Sequence, residues 1–177
     1  VLDVGCGAGI LSESLARRGY LVDGADPAHK NIAIAREHAR GNGIEVSYHE
    51  GLVEELLETN FDAILVMEVV EHVPDITQLL NQCAEKLKPG GWLFVATINR
   101  TLASFITAII GAEYIFRMLP IGTHDWRKFV KPSEIVQGLH NFQLVEQTGI
   151  RVNPIGPRFN LTRYMGVNYM LSLRKES

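Results

Sequence analysis

Short apolar runs alternate with amphipathic stretches from the first residue to about residue 98, a pattern that predicts strands separated by helices. Val1–Val4 is an apolar run ending in glycines and reads as the first strand. Ile10–Arg18 has helical spacing, with Gly19 as its C-terminal stop. Tyr20–Ala25 is the second strand. Asp26 then stands as an N-cap and Pro27 as the first residue of a helix to about Arg40, which "GNG" at 41–43 breaks. Glu45–His49 is the third strand. "FDAILVM", Phe61–Met67, is the fourth and most apolar, which places it at the centre of a sheet. Ile76–Leu87 is a helix closed by "KPGG", and Trp92–Ile98 is the fifth strand.

The alternation fails from about Asn99 to Lys131, a stretch too long for a simple connection and therefore a candidate functional insertion. Pro132 and Ser133 start a helix to about Leu139, and Leu144–Arg151 and Val167–Leu173 close the chain as an antiparallel pair. The expected fold is α/β: one doubly wound domain over residues 1–177, with a mostly parallel seven-stranded sheet and an antiparallel last strand. The insertion occupies about residues 100–131 of it.

Composition adds exclusions. The 177 residues are 46% hydrophobic and 21% charged, with a net charge of −3, so no global field recruits nucleic acid. Cys6 and Cys83 give no disulfide framework, and neither has a CxxC neighbour. No run reaches the roughly 18 apolar residues of a membrane-spanning helix. Val1 already reads as mid-strand, so the natural chain is expected to extend further N-terminally.

"VLDVGCGAGIL" puts glycines at every second position, Gly5, Gly7 and Gly9, between a strand and a helix. Glycines there let backbone approach a ligand and adopt positive φ. The dinucleotide fingerprint G-x-G-x-x-G would need its third glycine at position 10, which is Ile10. The observed D-x-G-x-G-x-G, from Asp3 to Gly9, resembles motif I of the class I S-adenosylmethionine-dependent methyltransferases. Asp26 ends the second strand 21 residues after Gly5, where a carboxylate can accept both ribose hydroxyls of a nucleoside or simply cap the next helix. The resemblance implies that adenine lies between the ends of strands three and four. Those ends offer Gly51, Leu52 and Val53, and Met67.

"MEVVEHVPD" at 67–75 sets Glu68, Glu71 and His72 at the C-terminal edge of the sheet. His72 could remove a hydroxyl proton as a general base. Alternatively, the two carboxylates and the imidazole could hold a divalent cation, Mg or Mn with Zn possible, that acidifies a bound hydroxyl. A third alternative is that Glu71 and His72 only order the loop.

From Asn99 the chain reads "NRTLASFITAIIGAEYIFRMLPIGTHDWRKFVKP". With the two motifs above, "NP" at 153–154 and "NYMLSLRK" at Asn168–Lys175, it resembles the ubiquinone-biosynthesis O-methyltransferases along nearly its whole length. The resemblance implies methyl transfer from S-adenosylmethionine to catechol-type hydroxyls of polyprenylated rings, such as a demethylubiquinol or a polyprenyl-hydroxyphenol. It implies cofactor contacts at Asp3, Gly5, Gly7, Gly9, Asp26, Leu52, Val53 and Met67. Glu68, Glu71 and His72 match metal ligands proposed in that family. Phe105, Ile109, Ala112, Phe116 and Leu119 recur at helical spacing, either as a buried core helix or as a surface for an isoprenoid tail or the bilayer interface, assisted by Arg127, Lys128 and Lys131. His124 and Asp125 either overlie the active site or cap the following segment. Expected partners are the polyprenylated substrate, the membrane periphery and a ubiquinone-biosynthesis complex. The implied location is the bacterial cytoplasm at the inner membrane, or the matrix face of the mitochondrial inner membrane. Two other readings remain: methylation of another small hydroxylated metabolite, and a non-catalytic lipid-binding subunit of the same fold.

Overall fold

Five parallel strands carry the architecture: β1 (Leu2–Val4), β2 (Asp23–Asp26), β3 (Ser47–Glu50), β4 (Phe61–Met67) and β5 (Leu87–Ile98). They belong to a computed structural model that describes residues 1–105, 125–153 and 158–176. Three further strands, β6 (Phe142–Asn153), β7 (Arg158–Thr162) and β8 (Asn168–Lys175), complete a sheet ordered β3-β2-β1-β4-β5-β8-β6-β7. β8 runs antiparallel to both β5 and β6, and β7 antiparallel to β6. Helices α1 (Ile10–Ala16), α2 (His29–Asn42), α3 (Ile76–Lys86), the single turn α4 (Leu102–Ser104) and α5 (Pro132–Gln137) connect them.

β4 is central, as its apolar character predicts: Ile64 and Val66 are fully buried. They pack with Leu2 of β1, Leu93 and Val95 of β5, Leu80 of α3, and Leu171 of β8 in the main core. A smaller core gathers Cys6 with Ile32, Ala35 and Ala39 of α2, and Tyr48 of β3. Strand order reverses at β1, whose neighbours are β2 on one side and β4 on the other. In an open α/β sheet, that switch point opens a crevice at the carboxyl ends of the strands. The glycine loop after β1 and the acidic segment after β4 both start there.

The sheet has eight strands where the sequence predicts seven; the addition is β7, an edge strand whose Phe159 and Leu161 are exposed. α2 begins at His29 rather than Pro27, because Ala28, not Asp26, is its N-cap. "KPGG" belongs to β5: Gly90 takes φ +73°, and the register with β4 slips between Phe61 and Ala63, so that Leu87 pairs with Phe61 and Trp92 with Ala63. Most of the apolar helix expected inside the insertion lies outside the described residues, as does His124.

Candidate active site

The glycine loop is fastened before any ligand is considered. The Gly5 and Cys6 N–H groups both donate to the Ala25 carbonyl of β2, at 2.8 and 3.0 Å, and Gly9 N–H donates to the Cys6 carbonyl. Gly5, Gly7 and Gly9 take φ of +68°, +55° and +82°, so all three need the freedom that glycine alone has without strain. Their missing side chains differ in cause. A Cβ on Gly5 would run into Val69, and one on Gly9 into the Tyr48 hydroxyl, whereas one on Gly7 would meet nothing within 4 Å. Gly7 is therefore the point where backbone is bare toward open space, as a cofactor cradle requires.

Asp26, buried at the end of β2, joins the cradle. Its Oδ2 accepts the Gly7 N–H at 3.0 Å, and its Oδ1 accepts the Ala28 N–H and the Asn31 amide at 2.8 and 3.0 Å. One lone-pair direction of Oδ2 is left for a ribose hydroxyl. Asp3 sits beneath the loop, almost fully buried, and accepts the Ser12 hydroxyl at 2.6 Å, tying β1 to α1. Burial pushes its carboxyl up to about 6, against the opposing pull of the Ser12 hydrogen bonds.

Leu52 and Val53 line a cavity of about 270 Å³ that also touches Gly5, Pro27 and Val69. Val53 is buried and Leu52 half exposed. Met67 ends β4 opposite Ala96 and lines neither this cavity nor the larger one described next.

Past Met67 the chain turns sharply. Glu68 takes φ +56°, uncommon for a side chain of its size and typical of functional turns. Its N–H donates to the Ala96 carbonyl of β5. Glu71 is buried, and its Oε2 accepts the Thr97 hydroxyl at 2.7 Å. Glu68 is exposed as a residue, but its carboxyl is partly desolvated by the protein and lies within reach of the Glu71 charge. Desolvation and, after it, the neighbouring Glu71 charge push it well above the usual carboxylate range. His72 is exposed and lines a cavity of about 630 Å³ with Glu71, Arg100, Arg127 and Lys128. Arg100 is held there by an ion pair to Glu134.

Glu68, Glu71 and His72 do not converge as ligands. Among the described residues, no group of three or more His, Cys, Asp or Glu is placed to hold a metal ion. Asp125 takes the second of its two expected roles: its carboxylate caps the turn Trp126–Lys128 by accepting the Arg127 N–H. Trp126 in turn donates its indole N–H to the Thr101 carbonyl and meets Phe105 edge-on.

Sequence reading missed Tyr48, Thr97 and Asn31. No local pattern marks a residue that acts from a neighbouring strand or helix, and only the register reveals them.

A doubly wound sheet with a glycine cradle and an acidic strand end at its switch point defines a class I methyltransferase, and residues 2–95 match the methyltransferase domain family. The chain is 46% identical over 179 residues to a ubiquinone biosynthesis O-methyltransferase from Methylobacterium nodulans, covering 99% of this chain and 72% of that protein. It is 49% identical to one from Chelativorans sp., covering 99% of this chain and 71% of that one. The chain belongs to the ubiquinone biosynthesis O-methyltransferase family. The magnesium protoporphyrin IX methyltransferase of Synechocystis PCC 6803, solved with bound S-adenosylhomocysteine, superposes with a TM-score of 0.73 at 21% identity, over 99% of this chain and 73% of that one. At that identity it shares the fold alone.

Proposed function

We propose that this chain transfers the methyl group of S-adenosylmethionine to a catechol-type hydroxyl of a polyprenylated ring, a demethylubiquinol or polyprenyl-hydroxyphenol, in ubiquinone biosynthesis. The observation that carries the reading is the adjacency of two sites at one switch point. The cradle of Gly7 and Asp26 lies on one side, and Glu71 and His72 border a 630 Å³ cavity on the other. When bound, the cofactor supplies an electrophilic methyl group. The chain's residues supply the rest. The bare backbone at Gly7 and the free direction of Asp26 Oδ2 hold the nucleoside, and Leu52 and Val53 line the space for its base.

A catechol oxygen is a weak nucleophile until its proton departs. His72 is the base placed to accept that proton, since its imidazole borders the acceptor cavity. Glu71, anchored by the Thr97 hydroxyl, steadies the loop that carries His72. The donor set does not fit a bound cation in this arrangement, so no step is routed through one.

No helix among the described residues is long and apolar enough to cross a membrane. A polyprenyl acceptor stays in lipid, so the reading includes peripheral contact through the segment at about 100–131. Exposed Arg127 and Lys128 would add attraction to anionic headgroups there. Liposome flotation checks this: recovery with anionic vesicles is expected, and no recovery at any anionic fraction argues against it. For the reaction itself, the test is methylation of a short-chain demethylubiquinol with labelled cofactor, with and without added magnesium.

A further inference from the structure

We propose that Gln82, with Gln78 beside it, reads the amino edge of the cofactor's adenine and gives the nucleoside site its base specificity; this rests on the methyltransferase reading above. The 270 Å³ cavity beside Gly5 is too small for a whole cofactor and suits its base. Its walls are mostly apolar, from Ala25, Pro27, Leu52, Val53, Val69 and Leu79, as the faces of a flat heteroaromatic ring require. Among the described residues, four with polar side chains line it: Glu54, Asp75, Gln78 and Gln82. Asp75 already serves as the N-cap of α3, accepting the Gln78 N–H at 2.9 Å. Glu54 is exposed.

The two glutamines stand four residues apart on α3, one helical turn, and so share a face. Gln82 is half-buried and Gln78 exposed, so the deeper amide meets the base and the outer one borders the mouth. Neither carboxamide has a hydrogen-bond partner among the described residues. A carboxamide offers one donor and one acceptor side by side, which matches the amino donor and adjacent ring-nitrogen acceptor of adenine; this is the pairing that Asn and Gln make with adenine in nucleic acids.

The test measures binding of S-adenosylhomocysteine and of its 6-deamino purine analogue, by calorimetry, to the parent chain and to Gln82→Leu, which keeps most of the side-chain volume. The parent should bind the adenine compound about fivefold or more tighter than the analogue. Gln82→Leu should lose that preference to within twofold while binding the analogue as the parent does. A parent that does not distinguish the two compounds overturns the proposal without reference to any variant. A preference that survives Gln82→Leu overturns it alone. A parent that binds neither compound overturns the methyltransferase reading and this one with it.

Discussion

The carboxylate Oδ2 of Asp26 accepts the N–H of Gly7 at 3.0 Å, so the acidic residue ending one strand holds the tip of the loop that follows its neighbour. One residue thereby fixes the loop tip and the start of the following helix together. Asp26→Ala should lower affinity for S-adenosylhomocysteine at least tenfold, measured by calorimetry. It should also lower unfolding free energy by about 1–3 kcal/mol, because the Gly7 and Ala28 N–H groups and the Asn31 amide lose their acceptor. Normal affinity in this variant would contradict the assignment.

Gly7 and Gly9 should separate under the same substitution. Gly9→Ala places a methyl group against the Tyr48 hydroxyl at a φ of +82°, which strains both backbone and core. A loss of roughly 2–3 kcal/mol in denaturant unfolding is expected. Gly7→Ala meets nothing within 4 Å, so it should cost only about 1 kcal/mol of stability while abolishing cofactor binding. Equal effects on stability and binding at the two positions would contradict this division.

Asp3 makes stability depend on pH. Its folded-state pKa of about 6 lies above the ordinary 3.8, so between those values the folded chain holds a proton that the unfolded chain has released. Asp3 therefore favours the folded state most below about pH 4. That contribution declines as pH rises to about 6 and stays lost above it. The change is on the order of 3 kcal/mol. Asp3→Asn keeps an acceptor for the Ser12 hydroxyl, so it should flatten the stability profile between pH 4 and 6 and be more stable than the parent at pH 7. Parallel profiles would show that Asp3 does not titrate in this way.

How far the sequence reaches is clear from particular residues. The parallel core, the placement of β4 and the loop geometry after β1 follow from local patterns: an apolar run needs burial, and alternate glycines need positive φ. β7 escaped notice because an edge strand with Phe159 and Leu161 exposed has no buried face to set a period. Pro27 misled the helix start because Asp26, which resembled its cap, is held by Gly7, Ala28 and Asn31 as part of the cradle instead. The Glu68–Glu71–Thr97 arrangement depends on the register of β4 against β5, which no spacing within one segment encodes.

His72 and Glu71 should differ in kind. His72→Asn should lower kcat by about 10²–10⁴ with little change in KM for the cofactor, as loss of a general base does. Glu71→Gln keeps a group able to accept from the Thr97 hydroxyl, so it should fold normally and lower kcat less. Glu71→Leu leaves that hydroxyl without its partner and should cost about 1–3 kcal/mol in unfolding. A His72→Asn variant with parental kcat would remove the imidazole from the reaction.

The most direct measurement incubates the chain with methyl-labelled S-adenosylmethionine and a short-chain demethylubiquinol, and follows label and S-adenosylhomocysteine together. Label should appear on the ring oxygen with one S-adenosylhomocysteine released per methyl transferred. Binding of the cofactor without transfer to this or any other catechol would contradict the proposed function.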